Sequence, residues 1–238
     1  GSDNFNYATS GNIWRTDDGG TTWTKVSPSG FNCGNTLAMG TDGTNRVIYC
    51  GTGMSGNSDG MIYKSTDDGL TWTMVNYGPT SMNGSVNHLP VYDLAVDPRG
   101  TDVVYIASGS NLDYALAKST DGCVTMSNIN ASGEGAFTSV CINQSYPDSV
   151  YAAIRRDIIM YDAVSGAVTS VYRGLPGELV PDLAYGSILA GTSMGFFRVA
   201  DNSSTTNVAS TKKSVSDLIA VYPNPAKDLL MVDLKSTN

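Results

Sequence analysis

The sequence predicts an all-β protein assembled from repeated four-stranded units. Glycine is abundant, with 26 residues, tyrosine contributes 13, and only 15% of the 238 residues are charged. This composition is typical of short strands joined by tight turns rather than of amphipathic helices. Two further observations indicate the same class: one turn motif recurs along the chain, and apolar strand-like segments recur at a spacing of several tens of residues.

The turn motif lies within two long segments that match almost position for position. "NIWRTDDGGTTWTKV" at 12–26 corresponds to "MIYKSTDDGLTWTMV" at 61–75, and "ALAKSTDGCVTMSNI" at 115–129 keeps the same frame with more substitutions. Each copy places an apolar strand on either side of a short polar turn. The sequence therefore predicts a β-hairpin at each of these places.

A second repeated element is a strand-like segment that precedes the hairpin. Its anchor residues are spaced 42, 56, 46 and 38 residues apart, close to the roughly 40–50 residues of a propeller blade. The anchors are Tyr7, Tyr49, Tyr105, Tyr151 and Leu189. We therefore expect a β-propeller of about five blades, each made of four antiparallel strands.

Stacking explains the composition of the strands, because a single four-stranded sheet cannot bury both of its faces alone. An apolar alternating segment precedes every anchor except the first, so the first unit lacks its leading strand. A strand within "SDLIAVYP" at 216–223 could complete that unit and close the ring. Alternatively, the chain is part of a larger propeller.

The turn residues have predicted structural roles. A carboxylate at the third position can accept backbone N–H groups across the turn, and glycine at the fifth position tolerates a positive φ. The aromatic residue begins the next strand and packs over the hairpin. The residues with these predicted roles are Thr16, Asp18, Gly20 and Trp23, then Ser65, Asp67, Gly69 and Trp72, and finally Ser119 and Asp121.

This S/T-x-D-x-G-x-T-W pattern resembles the Asp box, or BNR repeat, of sialidases, of the luminal domain of sortilin, of photosystem II assembly propellers and of xyloglucan-cleaving hydrolases. The resemblance covers roughly residues 5–200 through the blade pattern. It implies a propeller fold in which the aspartates of the motif are structural rather than catalytic.

The last part of the chain resembles a different family. Residues 217–234, "DLIAVYPNPAKDLLMVDL", are similar to the start of the type IX secretion sorting domain of Bacteroidetes-type bacteria, with its core at Tyr222, Pro223, Asn224 and Pro225. The resemblance implies a secreted or cell-surface protein, and recognition by the secretion machinery where that domain is complete. An ordinary hairpin of the propeller is the alternative.

These patterns divide the chain into three parts. We expect an Asp-box propeller over 1–205, a polar linker over 206–216, and a partial sorting segment or ring-closing strand over 217–238.

The charge pattern and the cysteines restrict the partners. The net charge of −8 and the lack of clustered Lys and Arg argue against nucleic acid, and no apolar run approaches the roughly 18 residues of a membrane span. Cys33, Cys50, Cys123 and Cys141 show no metal-site spacing, so free thiols and a disulfide both remain open. No cofactor is expected. "DPRGTD" and "NSDG" could supply oxygen ligands to Ca²⁺, but neither matches an EF-hand loop.

The resemblance to Asp-box hydrolases raises two kinds of catalytic site. The sequence argues against a sialidase, because no arginine precedes Ile-Pro and the chain has only two glutamates, Glu134 and Glu178. The segment "VYDLAVDPRGTDVVYIASG" at 91–109 resembles the blade start of xyloglucanases, which cleave with two aspartates facing each other between two propellers.

Asp93 and Asp182 are therefore weak catalytic candidates, although each precedes Leu-Ala and a structural role on the inner strand would explain both. Asp113 is a further unassigned aspartate, Asp97 precedes proline and indicates a turn, and His88 indicates a surface loop. The sequence favours a secreted or cell-surface propeller that binds a glycan or protein partner without catalysis. The alternative is a glycoside hydrolase of xyloglucanase or β-glucanase type, or a fragment of one.

Overall fold

The computed structural model describes the chain at 6–9, 11–31, 33–41, 44, 46–53, 60–82, 88–110, 113–129 and 135–175, and in four strand segments beyond. For the strand residues 6–9, 182–184, 189, 192, 195–198 and 219–221, only the backbone is described. The described residues form five antiparallel sheets and contain no helix. The predicted all-β propeller class is confirmed.

Each sheet follows the predicted unit of consecutive antiparallel strands. The first sheet has three strands, β1 (Asn6–Thr9), β2 (Ile13–Thr16) and β3 (Thr24–Lys25). The second contains β4 (Gly34–Thr41), β5 (Arg46–Thr52), β6 (Met61–Ser65) and β7 (Thr73–Tyr77). The third contains β8 (Val91–Val96), β9 (Val104–Gly109), β10 (Tyr114–Ser119) and β11 (Ser127–Asn128).

The last two sheets lack the turn motif but keep the strand order. The fourth contains β12 (Phe137–Ile142), β13 (Ser149–Ile154), β14 (Asp157–Asp162) and β15 (Val168–Tyr172). The fifth contains β16 (Asp182–Ala184), β17 (Leu189–Thr192), β18 (Gly195–Arg198) and β19 (Ile219–Val221). The anchor tyrosines at 49, 105 and 151 lie on β5, β9 and β13 and are fully buried.

One expectation from the sequence is wrong. Ile219–Val221 does not complete the first sheet; it pairs antiparallel with β18, opposite Phe196–Arg198, and is the outer strand of the fifth sheet. The physical reason is pairing capacity, because β18 offers an outer edge with which Ile219–Val221 can pair. The predicted linker at 206–216 lies outside the described residues.

The sheets are arranged with their first strands side by side in chain order, so that β1, β4, β8, β12 and β16 lie innermost. Apolar clusters fill the spaces between neighbouring sheets. One joins the first and second sheets through Ile13, Phe31, Ile48 and Trp72, and a second joins the second and third sheets through Tyr49, Val91 and Ile106.

This arrangement gives the molecule two faces. The turn face carries the repeated turn motifs, which join the last two strands of the first three sheets, together with the turns that join the first and second strands of the four-stranded sheets. The loop face carries the connections between the second and third strands of the four-stranded sheets and those between successive sheets, including 78–90. Because strands alternate in direction, the inner strands β4, β8, β12 and β16 start at the loop face and end at the turn face, whereas β1 runs the opposite way.

Candidate functional site

The three repeated turns, 16–23, 65–72 and 119–126, share one hydrogen-bond pattern. In the first, the Thr16 hydroxyl donates to Asp18 Oδ1 at 2.7 Å and accepts from Gly20 N at 2.9 Å. Asp18 then accepts the Thr22 amide at 2.8 Å and the Thr22 hydroxyl at 2.7 Å. Equivalent atoms of the second and third turns make the same bonds, at 2.6 to 2.9 Å.

Two consecutive residues in each turn have a positive φ. The fifth position, which was predicted, is occupied by Gly20, Gly69 and Cys123, and the fourth position, which was not, by Gly19, Asp68 and Gly122. Asp68 and Cys123 therefore adopt a left-handed conformation that L side chains rarely take. Two of the three residues at the fourth position are glycine, which is a partial signal of the positive φ there.

The turn carboxylates are held in their charged form by local donors. Hydrogen bonds from Thr22, first from its amide and then from its hydroxyl, lower the pKa of Asp18 to about 2. The pKa of Asp121 is also lowered by Thr125, first by its hydroxyl and then by its amide. For Asp67, burial acts to raise the pKa, but bonds from Thr71 and Ser65 outweigh it. The oxygens of each carboxylate thus accept hydrogen bonds from donors within its own hairpin.

Asp93 occupies a different position, near the loop face on the inner strand of the third sheet. Its Oδ1 accepts the Thr36 hydroxyl at 3.1 Å and the Leu94 amide at 2.9 Å. Its Oδ2 accepts the Ser139 hydroxyl at 2.7 Å and the Val140 amide at 2.9 Å. One carboxylate therefore connects the inner strands of the second, third and fourth sheets.

The three side chains that meet here occupy equivalent register positions on their strands. Thr36, Asp93 and Ser139 each follow a β-bulge and pair with the corresponding residue of the next strand, Gly51, Ala107 and Ala153 respectively. Burial raises the pKa of Asp93, and its four hydrogen bonds act in the opposite direction. With four donors already satisfied, Asp93 has little capacity left to activate water or protonate a leaving group.

Asp182, the other candidate, opens β16 and pairs with Gly191. By register it corresponds to Asp93, but its side chain lies outside the described residues. The sequence therefore predicted the equivalence of these two positions correctly, and the structure does not show the two carboxylates together.

Asp97 lies in the β8–β9 turn, as predicted, on the turn face. Its carboxylate accepts two hydrogen bonds from the Arg99 guanidinium, at 2.9 and 2.7 Å. The same guanidinium also donates a hydrogen bond of 2.8 Å to the carboxylate of Asp148, next to the fourth sheet. Burial acts to raise the pKa of Asp97, and the bonds from Arg99 lower it overall. Asp113 accepts the Ser81 hydroxyl at 2.8 Å, which attaches the 78–90 connection to the third sheet.

An aromatic pair on the loop face was not predicted. The rings of Tyr77 and His88 stack with centroids 4.8 Å apart and planes 22° from parallel, and Tyr77 is 42% exposed. His88 Nδ1 lies 2.9 Å from the Gly78 carbonyl, which fixes the imidazole. The two residues are eleven positions apart in the sequence, so only the path of the connection brings them together.

Several other expectations concern metals, thiols and export. None of the four cysteines forms a disulfide, and burial raises the pKa of Cys50 and of Cys123 to about 12. Within the described part of the chain there is no cluster of His, Cys, Asp or Glu that could hold a metal ion. No helix among the described residues is long and apolar enough to cross a membrane. The predicted sorting core at 222–225 lies outside the described residues.

The chain is similar over part of its length to a protein of known activity. No family model matches it. A xyloglucanase of Hypocrea jecorina is 35% identical over 89 residues, which is 35% of this chain and 10% of that protein. The chain therefore spans about a tenth of the length of this curated relative.

Solved structures share the fold at low sequence identity. The Niastella koreensis GH74 enzyme superposes with a TM-score of 0.65 at 16% identity, covering 84% of this chain and 34% of that one. The Xanthomonas campestris GH74 xyloglucanase gives 0.60 at 19%, covering 81% and 34%. A nidogen/laminin complex gives 0.62 at 13%, covering 84% and 72%. These likenesses establish the β-propeller fold.

Proposed function

We propose that this chain is an extracellular propeller that binds a glycan on its loop face and does not itself catalyse cleavage. The observation that carries the proposal is the Tyr77–His88 stack. A glycan contacts proteins through the apolar face of its sugar rings and through its hydroxyl groups. An aromatic ring held in a fixed orientation and exposed to solvent offers apolar area at a small entropic cost.

The surroundings of Tyr77 keep that ring in place. Its amide donates to the Asn76 side chain at 2.9 Å, and Asn76 in turn donates to the Val124 carbonyl of the third sheet at 2.8 Å. On the other side, the Leu89 amide donates to the Pro79 carbonyl at 2.9 Å. The Tyr77–His88 pair is thus attached to the second and third sheets before a ligand binds.

The polar groups of the inner strands are consistent with binding rather than hydrolysis. Inverting hydrolysis needs two carboxyl groups about 6.5–9.5 Å apart with a water between them. Asp93 already accepts four hydrogen bonds. The aspartates of the repeated turns lie on the opposite face, where we assign them the role of pinning hairpins.

A glycoside hydrolase, or a part of one, is the second candidate. It is favoured by the 35% identity with a xyloglucanase and by the superposition on two GH74 enzymes, of which this chain covers about a third. Under this alternative the chain is one propeller of the hydrolase, and Asp93 or Asp182 faces a second catalytic carboxylate on another part of the enzyme.

The resemblance of 217–234 to a sorting segment supports export to the outside of the cell. We infer a division into a propeller over 1–205, a linker over 206–216 and an export segment over 217–238. The pairing of Ile219–Val221 with β18 means that this segment also contributes a strand to the fifth sheet.

Isothermal titration with xyloglucan and cello-oligosaccharides tests the proposal. We expect Tyr77→Ala to weaken binding at least tenfold, because it removes the exposed ring. Tyr146→Ala is the matched control: Tyr146 is also an exposed tyrosine, but it lies in the β12–β13 turn on the opposite face, and its loss should leave affinity unchanged. Equal affinities of wild type and Tyr77→Ala would contradict the assignment.

A reducing-sugar assay on the same oligosaccharides separates the two candidates. The binding proposal predicts no release of reducing ends. Release that disappears in Asp93→Asn or Asp182→Asn would establish the hydrolase instead.

A further inference from the structure

Two arginines form the tight turn between β13 and β14 on the loop face. Ile154 pairs with Asp157, so the turn consists of Arg155 and Arg156, and both are exposed. Arg155 has a φ of 53°. Two-residue hairpin turns with a positive φ at the first position favour glycine there, because an L side chain is strained in that conformation. An arginine held at such a position, at the exposed end of a hairpin, points to a role beyond local folding.

A third exposed arginine, Arg173, lies beside this turn. It directly follows β15, and the residues after it are bonded to the start of β14. The Leu175 amide donates to the Arg156 carbonyl at 2.8 Å, and the Gly174 amide donates to the Asp157 carboxylate at 2.8 Å. These bonds hold the end of β15 against the turn. We refer to the three arginines together as the arginine cluster: Arg155, Arg156 and Arg173.

Two guanidinium groups of the cluster have different partners from those elsewhere in the chain. Three other arginines each form a salt bridge with an aspartate, at 2.7 to 2.9 Å: Arg15, Arg46 and Arg99. Arg156 Nε instead donates to the Leu175 carbonyl at 2.7 Å, and Arg173 Nε donates to the Ser170 hydroxyl at 3.1 Å. Both acceptors are uncharged. Within the described part of the chain, no carboxylate forms an ion pair with Arg156 or Arg173.

The bonds at Nε orient the rest of each guanidinium. A guanidinium has five N–H donors in one plane, of which Nε supplies one and the two terminal nitrogens supply four. With Nε of Arg156 and of Arg173 bonded to the protein, their terminal nitrogens can donate two parallel hydrogen bonds to the oxygens of a carboxylate or a sulfate. Holding the groups in place beforehand also lowers the entropic cost of binding such an anion.

The charge of the cluster contrasts with the charge of the rest of the molecule. The chain has a formal net charge of −8, and the aspartates of the repeated turns lie on the turn face together with Asp97 and Asp148. Among the described residues at the loop-face end of the fourth sheet, Asp157 is the one carboxylate, and it accepts the Gly174 amide. An anionic ligand is therefore attracted to this part of the loop face and repelled by the turn face.

We propose that the arginine cluster binds the anionic groups, carboxylate or sulfate, of an acidic polysaccharide. This inference rests on the proposed glycan-binding function and adds the class of glycan to it. The Tyr77–His88 pair lies on the same face and offers an aromatic ring to sugars of any charge, whereas the cluster distinguishes acidic chains from neutral ones. A chain with a charge on successive sugars presents several anionic groups, which suits guanidinium groups on two neighbouring connections.

Isothermal titration of the full chain with three oligosaccharides of equal length tests the proposal. Cello-oligosaccharides are neutral, oligogalacturonates carry carboxylates alone, and carrageenan oligosaccharides carry sulfates alone. We expect an acidic ligand to bind about tenfold more tightly than the neutral one, and its affinity to fall as NaCl is added. Comparison of the two acidic ligands identifies which anionic group the cluster prefers.

Substitutions within the cluster locate the site. Arg156→Gln and Arg173→Gln should each weaken binding of the acidic ligand about tenfold and leave the neutral ligand unaffected, because charge-assisted hydrogen bonds are lost. Arg155→Gly should also weaken it and keeps the turn, since glycine adopts a positive φ without strain. Arg156→Lys should restore only part of the affinity, because an ammonium group cannot donate the parallel pair. Lys25→Gln, which removes the same charge from an exposed residue of the first sheet, is the matched control and should have no effect.

Equal affinities of the wild type for acidic and neutral ligands would overturn the inference. A preference for acidic ligands that survives all three arginine substitutions, or that Lys25→Gln reduces as much as they do, would overturn it as well. Its failure can be told apart from that of the proposed function. Neutral binding that depends on Tyr77, without any preference for acidic ligands, removes the cluster and leaves the glycan-binding function. Acidic binding that depends on the arginines but not on Tyr77 supports the cluster and contradicts the aromatic platform.

Discussion

The first and third turns have the same internal hydrogen bonds but different surroundings. Gly19 and Gly122 have φ values of 69° and 71°, and the carboxylate two residues before the fifth position accepts the same threonine groups in both turns. Gly19 faces open space, whereas Gly122 lies against Lys64, Asp102 and Tyr49. The local sequence therefore specifies the turn, and the preceding sheet determines how much the turn contributes to the stability of the whole molecule.

The largest expected difference concerns the tryptophans. Trp72→Ala should lower the free energy of unfolding by about 3–5 kcal/mol, because it leaves a cavity between the first two sheets. Trp23→Ala should cost less than about 1.5 kcal/mol, since the exposed ring loses little burial. Urea denaturation followed by circular dichroism measures both. Equal losses would contradict the difference in packing.

The inner strands provide the next comparison. Asp93→Ala should cost about 2–4 kcal/mol, because it leaves amide and hydroxyl donors from three sheets without an acceptor. Asp113→Ala, which removes the acceptor of one hydrogen bond from Ser81, should cost about 1 kcal/mol. The same denaturation experiment checks the pair. A loss at Asp93 no greater than that at Asp113 would show that Asp93 does not hold the inner strands together.

The glycines of the two turns should differ by a smaller amount. Gly19→Ala should cost about 1–2 kcal/mol, since an L side chain is strained at positive φ. Gly122→Ala carries the same strain and must also displace the Tyr49 hydroxyl and the Lys64 ammonium, so we expect about 1 kcal/mol more. Thermal unfolding of the two variants measures the difference. A larger loss at Gly19 would contradict the role of the neighbouring sheet.

The smallest expected effect is that of pH, and it should be similar in every turn. The pKa of Asp18 is lowered from 3.8 to about 2, so this carboxylate stabilises the folded state above pH 4 and loses that contribution as the pH falls towards 2. Asp18→Asn should therefore flatten the acid side of the melting-temperature profile, and Asp121→Asn should do likewise. A profile unchanged by both substitutions would show that the turn bonds do not favour the charged form.

Much of this fold could be predicted because its determinants are local. The turn chemistry of Thr16, Asp18 and Gly20 and the alternation around Tyr49 depend on residues close in sequence, and the structure shows hairpins and strands there. The three-stranded first sheet was also predictable, because no apolar alternating segment precedes Tyr7 in the sequence.

The rest depends on contacts between distant residues. The pairing of Ile219–Val221 with β18 depends on which sheet has an available edge, and the Tyr77–His88 stack depends on the path of the 78–90 connection. Three of the four hydrogen bonds of Asp93 come from distant strands: Thr36 lies 57 residues earlier, and Ser139 and Val140 lie 46 and 47 residues later. No pattern near Asp93 specifies those partners.

Amide hydrogen exchange under dilute, monomeric conditions compares the turns most directly. The account predicts that the amides of Gly69 and Cys123, whose bonds to the Ser65 and Ser119 hydroxyls are buried, exchange markedly more slowly than that of Gly20, whose bond to the Thr16 hydroxyl is only partly buried. Equal protection at the three amides would mean that the preceding sheet adds nothing to the turn, and would contradict the account.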